Sequence, residues 1–137
     1  MPRSELEVVL PWPPPDLSPN ARLHWSKAAK VKRRYRKTCW GETALALSRA
    51  RKANVRMWCA PDQRLRVELQ FFPPNRRSRD IDNLVASMKA GIDGIADALG
   101  IDDSNFELGE PKFGACGAGS CVKVRLVALE GTNGSAG

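Results

Sequence analysis

From Arg64 to Phe72 the chain alternates without a break, Leu65, Val67, Leu69 and Phe71 against Arg66, Glu68 and Gln70. A two-residue period is that of a strand with one face in a core. Between Ser26 and Ala53 the period changes: Ala28, Val31, Tyr35, Cys39, Thr43, Ala46 and Ala50 recur at steps of three or four with no proline among them. This predicts a long amphipathic helix. A second helix is predicted over Asn83 to Leu99, with Leu84, Met88, Ile92, Ile95 and Leu99 as its buried stripe and Gly100 as its stop. Leu6 to Leu10 reads as a short strand. It ends where Pro11, Pro13, Pro14 and Pro15 remove backbone donors and forbid helix, leaving a stiff extended loop through Asn20. Phe106 to Phe113 and Cys121 to Leu129 predict a hairpin around the glycine-rich GACGAGS, and the tail GTNGSAG, residues 131–137, is expected to be disordered.

The resulting order is β-α-β-α-β-β. It predicts a single α+β domain over residues 1–130, a mixed β-sheet with two helices packed on it. The 137 residues, 42% of them apolar and 27% charged, suit one globular domain with a real core. No stretch approaches the ~20 apolar residues of a membrane span, and the start MPRSELEVVL has no apolar run with a small-residue cleavage site, so the expectation is a cytoplasmic protein. Cys39, Cys59, Cys116 and Cys121 are widely spaced and accompanied by one histidine, which favours free thiols over disulfides or a zinc site.

The net charge of +7 points to a polyanionic partner, and its distribution says more than its sum. Arg22 to Lys37 holds eight basic residues and no acidic one, whereas Asp80 to Glu110 holds eight acidic residues and, past the arginines before Asp80, only Lys89. Lys27, Lys30, Lys32, Arg33, Arg34, Arg36 and Lys37 on the first helix, with Arg76, Arg77 and Arg79 in the loop after the strand, are the candidate contacts to phosphates of such a partner.

The stretch RRSRDIDNL places Asp80 and Asp82 one residue apart directly after those arginines. Hard oxygen ligands in twos and threes suit Mg2+, which keeps several waters and binds phosphate oxygens beside a few carboxylates. An aspartate at a helix start is equally a cap, and Asp102-Asp103 is an ordinary turn pair. Capping accounts for one of the paired aspartates and not both, and spacing does not choose. The predicted helix of about 25 Å separates Asp80 and Asp82 from Asp102 and Asp103, so the two groups meet only by a fold-back or from another subunit.

Taken together, the strand ending in Pro73-Pro74, the basic loop, RDIDNL, Lys89, the Asp93-Gly94-Ile95 step and IDDSN before the final strands resemble the RusA-type Holliday-junction endonucleases and their phage and prophage relatives. The opening LPWPPPDLSPN ahead of a basic helix is also similar, so the resemblance runs over about residues 6 to 129. It implies a homodimeric, Mg2+-dependent endodeoxyribonuclease that resolves four-way junctions in recombination and repair by paired nicks. It also implies Asp80, Asp82 and, by position in the pair, Asp103 as metal ligands, and Lys89 as a functional lysine. Lys89 follows Asp82 by seven residues, where some members of the family place it four after; one added turn keeps it on nearly the same helix face.

Among the remaining residues, His24 reads as a surface side chain with no catalytic partner nearby. Trp12, Trp25, Trp40 and Trp58 are core or interface residues before they are stacking surfaces for bases. Phe71-Phe72 offers one outward ring as a wedge at a branch point. Two rivals remain: a structure-selective DNA-binding protein without catalysis, in which the aspartates are caps, and a structural module whose acidic half pairs with the basic half of a neighbour.

Overall fold

A computed structural model describes residues 5–53, 62–115 and 119–129. Its elements are β1 (Glu5–Pro11), α1 (Trp25–Lys52), β2 (Leu65–Phe72), α2 (Ile81–Ser87), α3 (Lys89–Leu99), β3 (Phe106–Leu108), β4 (Lys112–Phe113) and β5 (Cys121–Ala128). One five-stranded sheet has the order β1-β5-β2-β3, with β4 also on β2. β5 is antiparallel to β1 and β2, while β3 and β4 run parallel to β2, so the sheet is mixed. The class is mixed α/β in a single small domain, as expected, with three helices rather than two.

The alternation of β2 is realised: Leu65, Val67, Leu69 and Phe71 are buried. They share the core with Leu6, Val8 and Leu10 of β1, with Val122, Val124 and Leu126 of β5, and with Tyr35, Cys39, Met88 and Ile95 from the helices. The opposite face of the sheet is a charged ladder in which Arg125 pairs with Glu5 at 3.0 Å and Glu68 at 3.6 Å. Cys39 and Cys121 are free thiols, and burial pushes the Cys39 thiol up to about 12, which keeps it protonated and inert. Cys59, Cys116 and Trp58 lie outside the described residues, as does the predicted tail. Among the described residues no helix is long and apolar enough to cross a membrane.

Three expectations are corrected. The predicted hairpin does not form, because β5 inserts between β1 and β2 and is paired along both edges. A strand with Val122, Val124 and Leu126 facing the core gains most at the centre of the sheet, and the short, largely exposed β3 and β4 are left to the β2 edge. Their parallel pairing needs a crossover, which α2 and α3 supply. Secondly, the predicted helix over Asn83 to Leu99 is two helices. The Ser87 hydroxyl donates to the Asn83 carbonyl at 2.9 Å, a back-bond that competes with the helix ladder, and the Met88 N–H closes on Val85 at 3.0 Å. Met88 is fully buried at the join, where its sulfur accepts from the Tyr35 hydroxyl. Lastly, the proline loop is not extended throughout: Pro15–Leu17 forms a single 3-10 turn with Pro15 at its first position, where the missing N–H costs nothing.

Candidate functional site

Asp80 is the N-cap of α2, with extended backbone (φ −82°, ψ 115°), and its Oδ1 accepts from the Asp82 N–H at 2.9 Å. Both aspartates are exposed, and among the described residues the Asp82 carboxylate has no hydrogen-bond or ion-pair partner. The cap therefore accounts for Asp80 and leaves Asp82 unexplained. A carboxylate in the first turn gains from the helix dipole without needing another partner.

The loop leading into this pair is built by Arg79. Its guanidinium donates to the Asn75 carbonyl at 3.0 Å, the Asn75 side-chain oxygen at 2.7 Å and the Arg77 carbonyl at 2.9 Å, and it lies over the Trp12 ring at 5.5 Å. The donors of Arg79 are thus engaged within the chain. Arg76 and Arg77 stay exposed with free guanidinium groups among the described residues.

Asp103 is placed elsewhere. Asp102 caps the 3-10 turn Asp103–Asn105, accepting from the Ser104 N–H at 2.9 Å, which holds its carboxyl below the usual carboxylate range. Asp103 meets Asp93 of α3. Partial burial, and then a hydrogen bond shared with Asp103, raise the Asp93 carboxyl above its ordinary value, against the pull of Lys89 and Arg36. Lys89 Nζ stands 4.0 Å from Asp93, and Arg36 of α1 forms a two-pronged pair with Asp97 at 2.7 and 2.9 Å. Arg36, Lys89, Asp93, Asp97, Asp102 and Asp103 surround a cleft of about 570 Å3.

The sequence-predicted residues therefore divide. Lys89 and Asp103 come together around this cleft, with Asp93 and Asp97, which the sequence reading did not select. Their signal was present: Lys89, Asp93 and Asp97 are spaced by four, the spacing that puts three side chains on one helix face. Asp80 and Asp82 stand at the start of α2, and among the described residues no three His, Cys, Asp or Glu groups gather into a metal-binding cluster. The donor chemistry of Asp80 and Asp82 suits Mg2+, which needs only one or two carboxylates where a phosphate and waters complete the shell. Asp103 does not join them within one chain.

The basic residues of α1 also divide by face. Lys32, Arg33 and Arg36 line a second cleft of about 780 Å3 with Leu17, Leu23, Ala28, Ala86 and Ala90, and Lys89 and Asp93 border both clefts. Lys27, Lys30 and Arg34 lie together on another face of α1, and Lys37 continues that stripe by period. Apart from Arg36, none of these cations has an acidic partner among the described residues. Arg36 is spent on Asp97 and holds α1 to α3. His24 is the N-cap of α1 through its Nδ1 and the Ser26 N–H at 3.2 Å, a structural use of the residue. Phe71 points into the core, and the outward Phe72 is covered by Lys123 at 5.4 Å and by the backbone at Gly114, so neither ring is a free wedge.

One test of this geometry is the pH dependence of stability. A carboxyl whose folded pKa is raised binds its proton more tightly folded than unfolded, so ionising it costs stability as pH rises. Asp93→Asn is expected to stabilise the fold at pH 7, by less than about 1 kcal/mol because the pair is partly solvated. The gain should vanish below about pH 4, where the wild-type carboxyl is protonated in both states. Thermal melts of both proteins from pH 3 to 8 read this directly, and a constant offset at every pH would reject a raised Asp93 carboxyl.

No family model matches the chain. An uncharacterized protein of Xylella fastidiosa is 43% identical to it over 100 residues, covering 72% of this chain and 61% of that protein. The chain thus aligns with about three-fifths of the relative's length.

Proposed function

We propose that this protein is a Mg2+-dependent, structure-selective endodeoxyribonuclease of the RusA type, acting on branched DNA such as the four-way junction in recombination and repair. The reading rests on one arrangement: Lys89 and Asp93, one turn apart on α3, border a cleft walled by cations of α1, and the exposed Asp80 and Asp82 stand at the start of the preceding helix.

Lys32, Arg33, Lys27, Lys30 and Arg34 would hold the sugar-phosphate backbone, largely without reading bases. Asp80 and Asp82 would hold the metal, the first through its oxygen not engaged by the cap. Held there, Mg2+ would supply an activated water and charge neutralisation at the scissile phosphate. Lys89 would stabilise negative charge on a phosphoryl oxygen, at the cost of loosening its contact with Asp93. Asp103 would reach Asp80 and Asp82 from a second copy, and a two-fold dimer would set two such sites against a junction that is itself roughly two-fold.

A second reading is supported by the cap at Asp80 and by the engagement of Asp103 with Asp93: a protein that binds branched DNA without cutting it. A labelled four-way junction and a linear duplex of the same sequence, incubated with Mg2+ or EDTA, separate the two. Paired nicks on the junction alone, and only with Mg2+, support the nuclease. Tight junction binding with no nicks under any divalent metal supports the second reading.

A further inference from the structure

Trp25 is the most exposed large apolar side chain described, 77% accessible at the first position of α1. A tryptophan so placed is normally free to swing, but this one is braced. The His24 ring lies against it at 5.5 Å between centroids and 34° between planes. His24 is itself fixed, its Nδ1 bonded to the Ser26 hydroxyl at 2.8 Å and to the Ser26 N–H at 3.2 Å. The cap that starts the helix thereby also orients the indole.

Helical period carries the same face onward from Trp25 to Ala28 and Ala29, then to Lys32 and Arg33. These four line the 780 Å3 cleft, whose floor includes Leu17, Leu23 and Ala90. Its volume is that of a site for a compound of nucleotide size or somewhat larger. The charged groups bordering it are Asp16, Lys32, Arg33, Arg36, Lys89 and Asp93. Arg36 is neutralised by Asp97 and Lys89 faces Asp93, so Lys32 and Arg33 are the cations left to an anion.

An exposed, oriented indole, an apolar floor and two available cations on one helix face are the elements of a site for unpaired nucleic acid. Bases stack on the aromatic ring and phosphates lie along the cations. A paired duplex keeps its bases stacked inside and offers none to such a seat.

We propose that Trp25 and the cleft beside it seat an unpaired nucleotide, so that this protein selects branched DNA carrying a single-stranded segment over a fully paired four-way junction. The proposal rests on the DNA-binding part of the reading above and is independent of its metal chemistry.

The test is equilibrium binding in EDTA, by fluorescence anisotropy. Three labelled probes are compared: a twelve-nucleotide oligothymidylate, a fully paired four-way junction, and the same junction with three unpaired thymidines at the branch. The wild type is expected to bind the oligonucleotide and to prefer the junction with unpaired bases. Trp25→Ala should weaken both about ten-fold, with less than a two-fold change on the paired junction, and Trp25→Phe should restore most of the loss. Equal weakening on all three probes, or on none, overturns the proposal. So does a Trp25→Ala protein that dissociates in sedimentation while binding the oligonucleotide normally, since the indole would then belong to contacts between copies. A protein that binds the paired junction but not the oligonucleotide loses the seat and keeps the DNA reading; one that binds no DNA loses both.

Discussion

Gly94→Ala is expected to destabilise the fold by about 1–3 kcal/mol although it adds a single methyl group. A Cβ built at Gly94 of α3 lies 2.2 Å from the Arg36 carbonyl oxygen and 3.0 Å from the Trp40 nitrogen, both backbone atoms of α1. Neither can swing aside, so the two helices must part, and their separation strains the Arg36–Asp97 pair and the packing of Ile95 together. Alanine's better helix propensity, worth up to about 1 kcal/mol, offsets only part of this. Gly41 on α1 is the control, because a Cβ there meets nothing within 4 Å. Gly41→Ala should therefore stabilise by about 0.5–1 kcal/mol. Thermal melts of the two variants should move in opposite directions, by roughly 3–5 °C per kcal/mol for a domain of this size. An unchanged melting temperature in Gly94→Ala would mean that α1 and α3 do not meet backbone to backbone.

That close approach also shows what the sequence could not announce. Period-two and period-3.6 patterns put β1, β2 and α1 within a residue or two of their observed ends, because Leu6, Leu65 and Tyr35 lie in long runs with one consistent face. Nothing in the pattern of α3 says that Gly94 faces a backbone rather than a side chain. The break at Met88 was equally hidden, since Val85 to Ile92 keeps its apolar spacing through the join, and the cause is one hydroxyl, that of Ser87, bonding backwards. The place of β5 depended on competition among strands: Val122, Val124 and Leu126 read as a strand from sequence, but pairing with β1 and β2 on both sides is a property of the whole sheet.

The candidate site was legible in its residue types and less so in its partners. Asp80 and Asp82 stand at a helix start as their spacing suggested. Asp103 was separated from them by helices in sequence, and the described structure leaves it with Asp93 and Lys89. Basic residues that look alike in a run of cations turn out to do different work. Arg36 and Arg79 are bound to Asp97 and Asn75, and Lys32 and Arg33 are available to an anion. A count of charges along the chain treats these four as equal, and only the fold separates them.

Asp82→Asn is expected to abolish Mg2+-dependent nicking of a four-way junction, a loss of about a hundred-fold or more, while leaving the fold and DNA binding intact. The carboxylate has no described partner whose loss would unfold α2, and asparagine preserves its shape and its tolerance of the first helical turn. Junction affinity in EDTA should stay the same or rise slightly, because on the proposed reading one negative charge near the bound phosphates is removed. Asp80→Asn should lose nicking as well and keep its cap, since asparagine caps as well as aspartate does, whereas Asp80→Ala should add about 1 kcal/mol of destabilisation. The pair of variants at position 80 thus separates ligand from cap: melting temperature follows the cap, and cutting follows the charge. Full nicking by Asp82→Asn would remove the metal role from this pair and move attention to Asp93 and Asp103, which line the cleft beside Lys89.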